Sequence, residues 1–188
     1  MEQLKDKLGS YKYNFFKNLQ NYLDTELLFY GSINRFDYFQ NMSDVDMAII
    51  SDNPSNLLAR IKNFLDKDKV SISKTCKHLK EVSPNLIKGH KIKYEDAENN
   101  VFCDIFIYDE KYKDLVLKHL HDQNNYPLYM IIILCILKTI YYRLSLISKD
   151  LFVYLKNELI DMYNNKTIFT NENNKTRSIS INSNISSS

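Results

Sequence analysis

Two quoted runs decide the fold: Tyr30-Gly31-Ser32, then Ser43-Asp44-Val45-Asp46-Met47-Ala48-Ile49, with eleven residues separating Ser32 from Asp44. Glu26–Tyr30 (ELLFY) is a short apolar run that stops at a glycine, which predicts a buried strand and a tight turn. Val45–Ile50 (VDMAII) predicts a second strand. Residues two apart on a strand leave the same face, so Asp44 and Asp46 project together. Two carboxylates a few ångströms apart repel, and both ionise cheaply only beside a counter-charge. Nothing nearby in sequence supplies one. A divalent cation is the natural partner, and Mg2+ favours hard oxygens, often one or two carboxylates completed by substrate phosphates.

A third acid lies further along. Asp104 is set in Val101-Phe102-Cys103-Asp104-Ile105-Phe106-Ile107, a run apolar on both faces. A carboxylate there is costly unless something compensates it. If its strand lies beside the one carrying Asp44 and Asp46, three carboxylates converge and two metal ions can be bound. Such a pair stabilises the attacking and leaving oxygens of an in-line phosphoryl displacement. Gly31-Ser32 suits the same chemistry: a glycine after a strand lets backbone approach a ligand closely, and the N–H groups and hydroxyl that follow can hold phosphate oxygens. Arg35, one helical turn beyond Ser32, could assist.

Around these runs the chain alternates helix and strand. Residues 3–23 carry Leu4, Leu8, Tyr11, Phe15, Leu19 and Tyr22 at three- and four-residue spacing, an amphipathic helix. Asn53-Pro54 opens a helix to about Asp66, with Leu57, Leu58, Ile61 and Leu65 facing inward. Val70–Lys80 begins β-like and turns basic, which leaves it open. Lys88–Glu95, a turn at Asp96–Asn99 and Asn100–Tyr108 read as an antiparallel hairpin. Helices are expected over 110–121, 127–146 and 148–163. The last 25 residues hold seven Asn, six Ser and three Thr, so a low-complexity, disordered tail is expected.

The composition of the 188 residues narrows the classes. With 44% hydrophobic residues, intrinsic disorder of the whole is excluded. Three cysteines, Cys76, Cys103 and Cys135, cannot all pair and no signal peptide precedes them, which favours a reducing, cytoplasmic setting over a disulfide scaffold. The longest apolar run, Leu128–Leu137, is too short to span a membrane. Heavy use of Lys, Asn, Ile and Tyr with little Gly, Ala and Pro points to a low-GC source such as a virus or an AT-rich cell. Net charge is +2, but Arg60–Lys93 carries a local balance of +7 and Tyr94–Asp122 one of −5. These blocks are either solvated surface or a basic wall beside an acidic centre, suited to polyphosphate or nucleic acid. Cys76-x-His78 and His119-x-His121 lack the second ligand pair that structural zinc requires.

The Gly-Ser turn, the spacing, Asp-Val-Asp-Met-Ala-Ile and a later apolar strand with a single Asp together resemble the DNA polymerase β-like nucleotidyltransferase superfamily. The resemblance covers roughly residues 26–108. It implies an α+β fold, a small mixed β-sheet flanked by helices, with C-terminal helices added. It also implies Mg2+-dependent transfer of a nucleoside monophosphate from a nucleoside triphosphate, ATP by default, to a hydroxyl, with release of pyrophosphate. By the same resemblance Asp44, Asp46 and Asp104 hold two Mg2+ ions (Mn2+ being a possible substitute), Asp104 also helps to deprotonate the acceptor, and Gly31 and Ser32 bind triphosphate. The acceptor would be an RNA 3′ end, a protein or a small molecule; oligomeric state is not readable. The competing reading is a catalytically silent module that uses the fold to bind nucleotide, nucleic acid or a partner protein. One departure stands out: many members carry a second glycine where this chain has Phe36. The expected organisation is a catalytic core over 1–108, a helical region packed on it over 109–164, and the tail over 165–188.

Overall fold

The computed structural model describes residues 4–78 and 86–163. The expected tail and the basic residue Lys80 lie outside them. The elements run α1 (Lys5–Leu23), β1 (Leu28–Tyr30), a 3-10 turn (Gly31–Asn34), β2 (Val45–Ser51), α2 (Pro54–Phe64), β3 (Val70–His78), β4 (Leu86–Asp96), β5 (Val101–Asp109), α3 (Lys113–Asn124), α4 (Leu128–Tyr142) and a last helix, α5, over 149–163. The five strands form one mixed sheet in the order β1-β2-β5-β4-β3. β2 and β5 are parallel and every other neighbouring pair is antiparallel. The open stretch from Val70 is therefore strand, paired along its length with β4.

Two apolar clusters fix the layers. Val45, Met47 and Ile49 of β2, Cys103, Ile105 and Ile107 of β5 and Ile92 of β4 meet Leu8, Phe16, Leu19 and Leu23 of α1 and Leu57 and Ile61 of α2. Asn53 caps α2 by accepting from the Asn56 backbone N–H at 3.1 Å, with Pro54 in the first turn as its missing donor allows. On the opposite face Ala48, Phe106 and Tyr108 pack against Val116 and Leu120 of α3. The alternation of β2 puts Asp46, half-buried, on this second face.

The buried stripe of α1 is Leu8, Lys12, Phe16, Leu19 and Leu23, whereas Tyr11 and Tyr22 are exposed. The apolar spacing had placed those two tyrosines inward. The reason is that the inward stripe contains a lysine, Lys12, only 4% exposed, so that the purely apolar stripe beside it looked more regular. Gly9, at φ 74°, also breaks the helix.

By contacts the chain divides into two compact units, residues 1–135 and residues 136 onward, the division falling within α4. α3 thus belongs to the unit that contains the sheet. In the second unit Tyr141 stacks on Phe152 at 4.4 Å between ring centroids, and the Ser148 hydroxyl accepts from the Leu151 N–H at the start of α5. Among the described residues no single helix is long and apolar enough to cross a membrane.

Candidate active site

The parallel pairing of β2 with β5 puts Asp46 directly beside Asp104, and the antiparallel pairing of β1 with β2 puts Tyr30 on the other side of Asp46. The chain leaves Tyr30 into Gly31, which adopts φ 74°. A side chain there would be strained, and its Cβ would lie 3.3 Å from Asp46 Oδ2. The glycine leaves room for that carboxylate at the mouth of the turn. Asp44 is exposed and sits one residue before β2, two from Asp46. The loop that delivers it is fastened by the buried Ser43, whose backbone N–H donates to the Phe39 carbonyl (2.9 Å) while its hydroxyl accepts from the Phe39 N–H (3.2 Å).

The charges report on one another. Burial pushes the Cys103 thiol up, and the negative charges of Asp104, Asp44 and Asp46 push it further. The Tyr30 phenol is raised by burial first, then by Asp46, Tyr108 and Asp104. Tyr38 is pushed up to about 12 by burial and by Asp44. The three acids thus act on one region. The sequence had shown no counter-charge, but the sheet and α1 bring lysines. Lys91 of β4 pairs with Asp104 Oδ2 at 2.5 Å. Lys93 is raised mainly by its hydrogen bond to Glu95, with Asp104 and Asp44 adding to it. Buried Lys12 is lowered by desolvation and held partly up by Asp44. Asp104 Oδ1, in contrast, is buried with no hydrogen-bond partner.

At the turn Gly31–Asn34, the Gly31 N–H donates to Asn124 Oδ1 at 2.9 Å. Ser32 is buried. Arg35, expected to assist with phosphate, is instead held within the fold. Its Nε donates to Asp37 at 2.8 Å, Nη1 donates to the Gln123 carbonyl, and the guanidinium lies 4.9 Å from the Tyr126 ring centroid. The end of α3 and the loop after it are thereby clipped to the Gly-Ser turn. No sequence signal pointed to Asn124. Lys91 could have been found only by knowing which strands adjoin.

The donors suit a hard divalent cation: carboxylates side by side, one buried oxygen unsatisfied, and a backbone without a Cβ next to Asp46. Among the described residues, however, no three acidic, histidine or cysteine side chains are gathered closely enough to hold an ion together. What the register brings together is the pair Asp46 and Asp104.

The family profile "Nucleotidyltransferase domain" matches residues 13–113, more than half of the chain. No curated protein sequence matches significantly. Among solved structures, "Terminal uridylyl transferase 4 from Trypanosoma brucei with bound GTP" aligns at 13% identity with a TM-score of 0.30, covering 59% of this chain and 37% of that one. The matched segment begins in α1, ends where α3 starts, and contains the Gly-Ser turn and all three acids. The chain belongs to the nucleotidyltransferase domain family.

Proposed function

We propose that the protein is an active transferase that moves a nucleoside monophosphate from a nucleoside triphosphate to a hydroxyl acceptor. The observation that carries this is the placement of Asp46 beside Asp104 at the Gly31 turn, inside the matched segment. In the reaction the acceptor oxygen forms a bond to the α-phosphorus. The bond from that phosphorus to the bridging oxygen breaks, and pyrophosphate leaves. Asp44 and Asp46 would hold the divalent ions, joined by Asp104; bound there, Mg2+ would neutralise charge on the phosphoryl oxygens. Asp104 takes the acceptor proton. Gly31 and Ser32 receive the triphosphate. The donor is ATP by default, and the acceptor an RNA end, a protein or a small molecule.

A second reading draws on two contacts. With Lys91 on Asp104 and Asn124 on the Gly31 N–H, both the third acid and the phosphate-facing amide are engaged from within the chain. A silent binding module would look the same. Release of labelled pyrophosphate from each of the four common triphosphates, with Mg2+ or Mn2+ and mixed acceptors, separates the two. Turnover that disappears in Asp46→Asn supports the enzyme. Nucleotide binding with no pyrophosphate from any triphosphate supports the module.

A further inference from the structure

We propose that Asn124 is a positioning residue for the triphosphate: its side-chain oxygen pins Gly31 and so holds the Gly-Ser turn in the shape that receives phosphate. This rests on the reading of Gly31 and Ser32 as the triphosphate turn given above. A glycine populates positive and negative φ about equally, so the chain by itself does not fix Gly31 at φ 74°. A contact from outside the turn selects that conformation. The Gly31 N–H donates to Asn124 Oδ1 at 2.9 Å, across 93 residues. Later in the turn, Lys7 Nζ of α1 donates to the Ile33 carbonyl (2.8 Å) and the Arg35 carbonyl (3.1 Å), and Asn34 Nδ2 donates to the Phe29 carbonyl (2.8 Å). Those bonds fix the end of the turn. The bond to Asn124 fixes its start, where the glycine is.

Asn124 can do this because it is itself held. It is the last residue of α3, and the carbonyl of its neighbour Gln123 accepts from Arg35 Nη1. Arg35 is tied in turn to Asp37 through Nε (2.8 Å) and Nη2 (3.2 Å), with side chains 7% and 0% exposed. Breaking a pair buried so deeply leaves an uncompensated charge, so the clip stays shut. The Tyr126 hydroxyl adds a bond to Gln123 Oε1 at 2.9 Å. The Gly31 N–H, spent on Asn124, then serves the shape of the turn, and phosphate meets the Ser32 side of it. Without the acceptor, Gly31 samples its other conformations. A ligand that fits one of them binds more weakly in proportion to that one's population. Asp46 and Asp104 stand on strands outside the turn, so the chemical step that follows binding keeps its rate.

The test uses the full chain and the scarcity of glycine in it. The three glycines follow Leu8, Tyr30 and Lys88, so Tyr30-Gly31 is the single Tyr-Gly bond. With glycine nitrogens and tyrosine carbonyl carbons isotope-labelled, an NMR spectrum edited for that bond shows the Gly31 N–H alone. Its exchange with solvent is measured without nucleotide. Binding of each of the four common triphosphates with Mg2+ is measured by equilibrium dialysis, and KM and kcat by pyrophosphate release. Asn124→Ala should speed the exchange and weaken triphosphate binding about tenfold each, as expected for one lost hydrogen bond. KM should rise with the binding loss while kcat stays within about twofold. Asn124→Asp, which keeps an acceptor, should keep the slow exchange. Asn125→Ala, at the same end of α3 but with its side chain on the His121 carbonyl (2.8 Å), should leave exchange and binding unchanged. Folding is checked by far-ultraviolet dichroism, and should Asn124→Ala misfold, Asn124→Leu, closer in size, takes its place. Unaltered triphosphate binding in the Asn124 variant, or an equal loss in Asn125→Ala, overturns the inference while leaving the triphosphate reading intact. No triphosphate bound by the unmodified protein overturns both.

Discussion

The β4–β5 hairpin carries two sheltered aspartates, each with a lysine, and they are treated in opposite ways. Asp96, at the end of β4, has every oxygen satisfied: Oδ1 accepts from Lys69 Nζ (3.0 Å) and the Asn99 N–H (3.3 Å), Oδ2 from Asn99 Nδ2 (2.8 Å) and the Tyr94 hydroxyl (3.4 Å). Asp104, in the middle of β5, has Lys91 on one oxygen and nothing on the other. A buried carboxylate with a full set of donors serves the fold, because each donor stabilises its charge. One left half-satisfied beside a second acid costs stability that a ligand completing its coordination would offset. The two residues differ in surroundings, not in chemistry.

The largest effect expected from this contrast is on turnover. Asp46→Asn and Asp104→Asn should each lower pyrophosphate release on the order of 10²-fold or more, Asp46→Asn with a melting temperature close to that of the unmodified protein. Asp96→Asn should leave turnover per folded molecule unchanged. Rate and thermal melt measured on the same preparations check both halves, and a loss of rate in Asp96→Asn matching that in Asp104→Asn would erase the distinction.

The next effect is on stability. Asp96→Asn leaves Lys69 without its main partner and weakens the Asn99 turn, which should cost about 1.5–3 kcal/mol. The pH dependence has a definite sign. Asn99 first, and Lys69 after it, hold the Asp96 carboxyl down at about 2, below its ordinary 3.8. A carboxylate lowered by folding contributes stability that is fully present above the unfolded value, near pH 4, and is lost as pH falls toward 2. Acid melts of Asp96→Asn should lack that part of the decline. Parallel curves for the two proteins would show that Asp96 is not tied as the geometry indicates.

Much of this was legible before the strands were placed. The Gly-Ser turn, the two strands carrying the acids, the hairpin and the helix opened by Asn53-Pro54 follow from local periodicity and turn chemistry, which a single chain segment carries by itself. The lysines did not follow. The blocks of +7 and −5 in sequence lie partly on adjoining strands, and Lys69 pairs with Asp96 and Lys91 with Asp104 across them. A charge block seen in sequence as a possible binding wall is thus partly spent inside the fold. Lys12 was hidden for a different reason: a lysine in an inward stripe reads as the edge of that stripe. Asn124 meets Gly31 across 93 residues, and contacts of that reach leave no local pattern.

Gly31→Ala sharpens the comparison at an intermediate scale. At φ 74° an alanine pays conformational strain of about 1–2 kcal/mol, and its methyl would press on Asp46 Oδ2. The melt should fall by that amount, while the rate should fall further than the lost stability accounts for, since a displaced carboxylate is a functional injury. A rate that tracks only the folded fraction would mean that Asp46 tolerates the shift.

The smallest expected effect carries an informative sign. In the metal-free protein Asp46 lies beside Asp104 with Asp44 near, so Asp46→Asn removes a repulsion. Its stability should stay within about 0.5 kcal/mol of the unmodified protein, neutral or slightly higher. An ion that binds only the folded state adds RT ln(1 + [L]/Kd), so for a Kd on the order of 1 mM, about 10 mM Mg2+ adds roughly 1.4 kcal/mol. That corresponds to roughly 3–6 °C in a domain of this size. Triphosphate should enlarge the rise, as its oxygens complete coordination that the carboxylates leave open. Asp46→Asn should lose most of the rise. Six melts decide it, each of the two proteins without ligand, with Mg2+, and with Mg2+ and ATP. A destabilisation of the metal-free variant as large as that of Asp96→Asn would put Asp46 with Asp96, among the carboxylates that serve the fold. A rise with Mg2+ that survives the substitution would move the ion elsewhere.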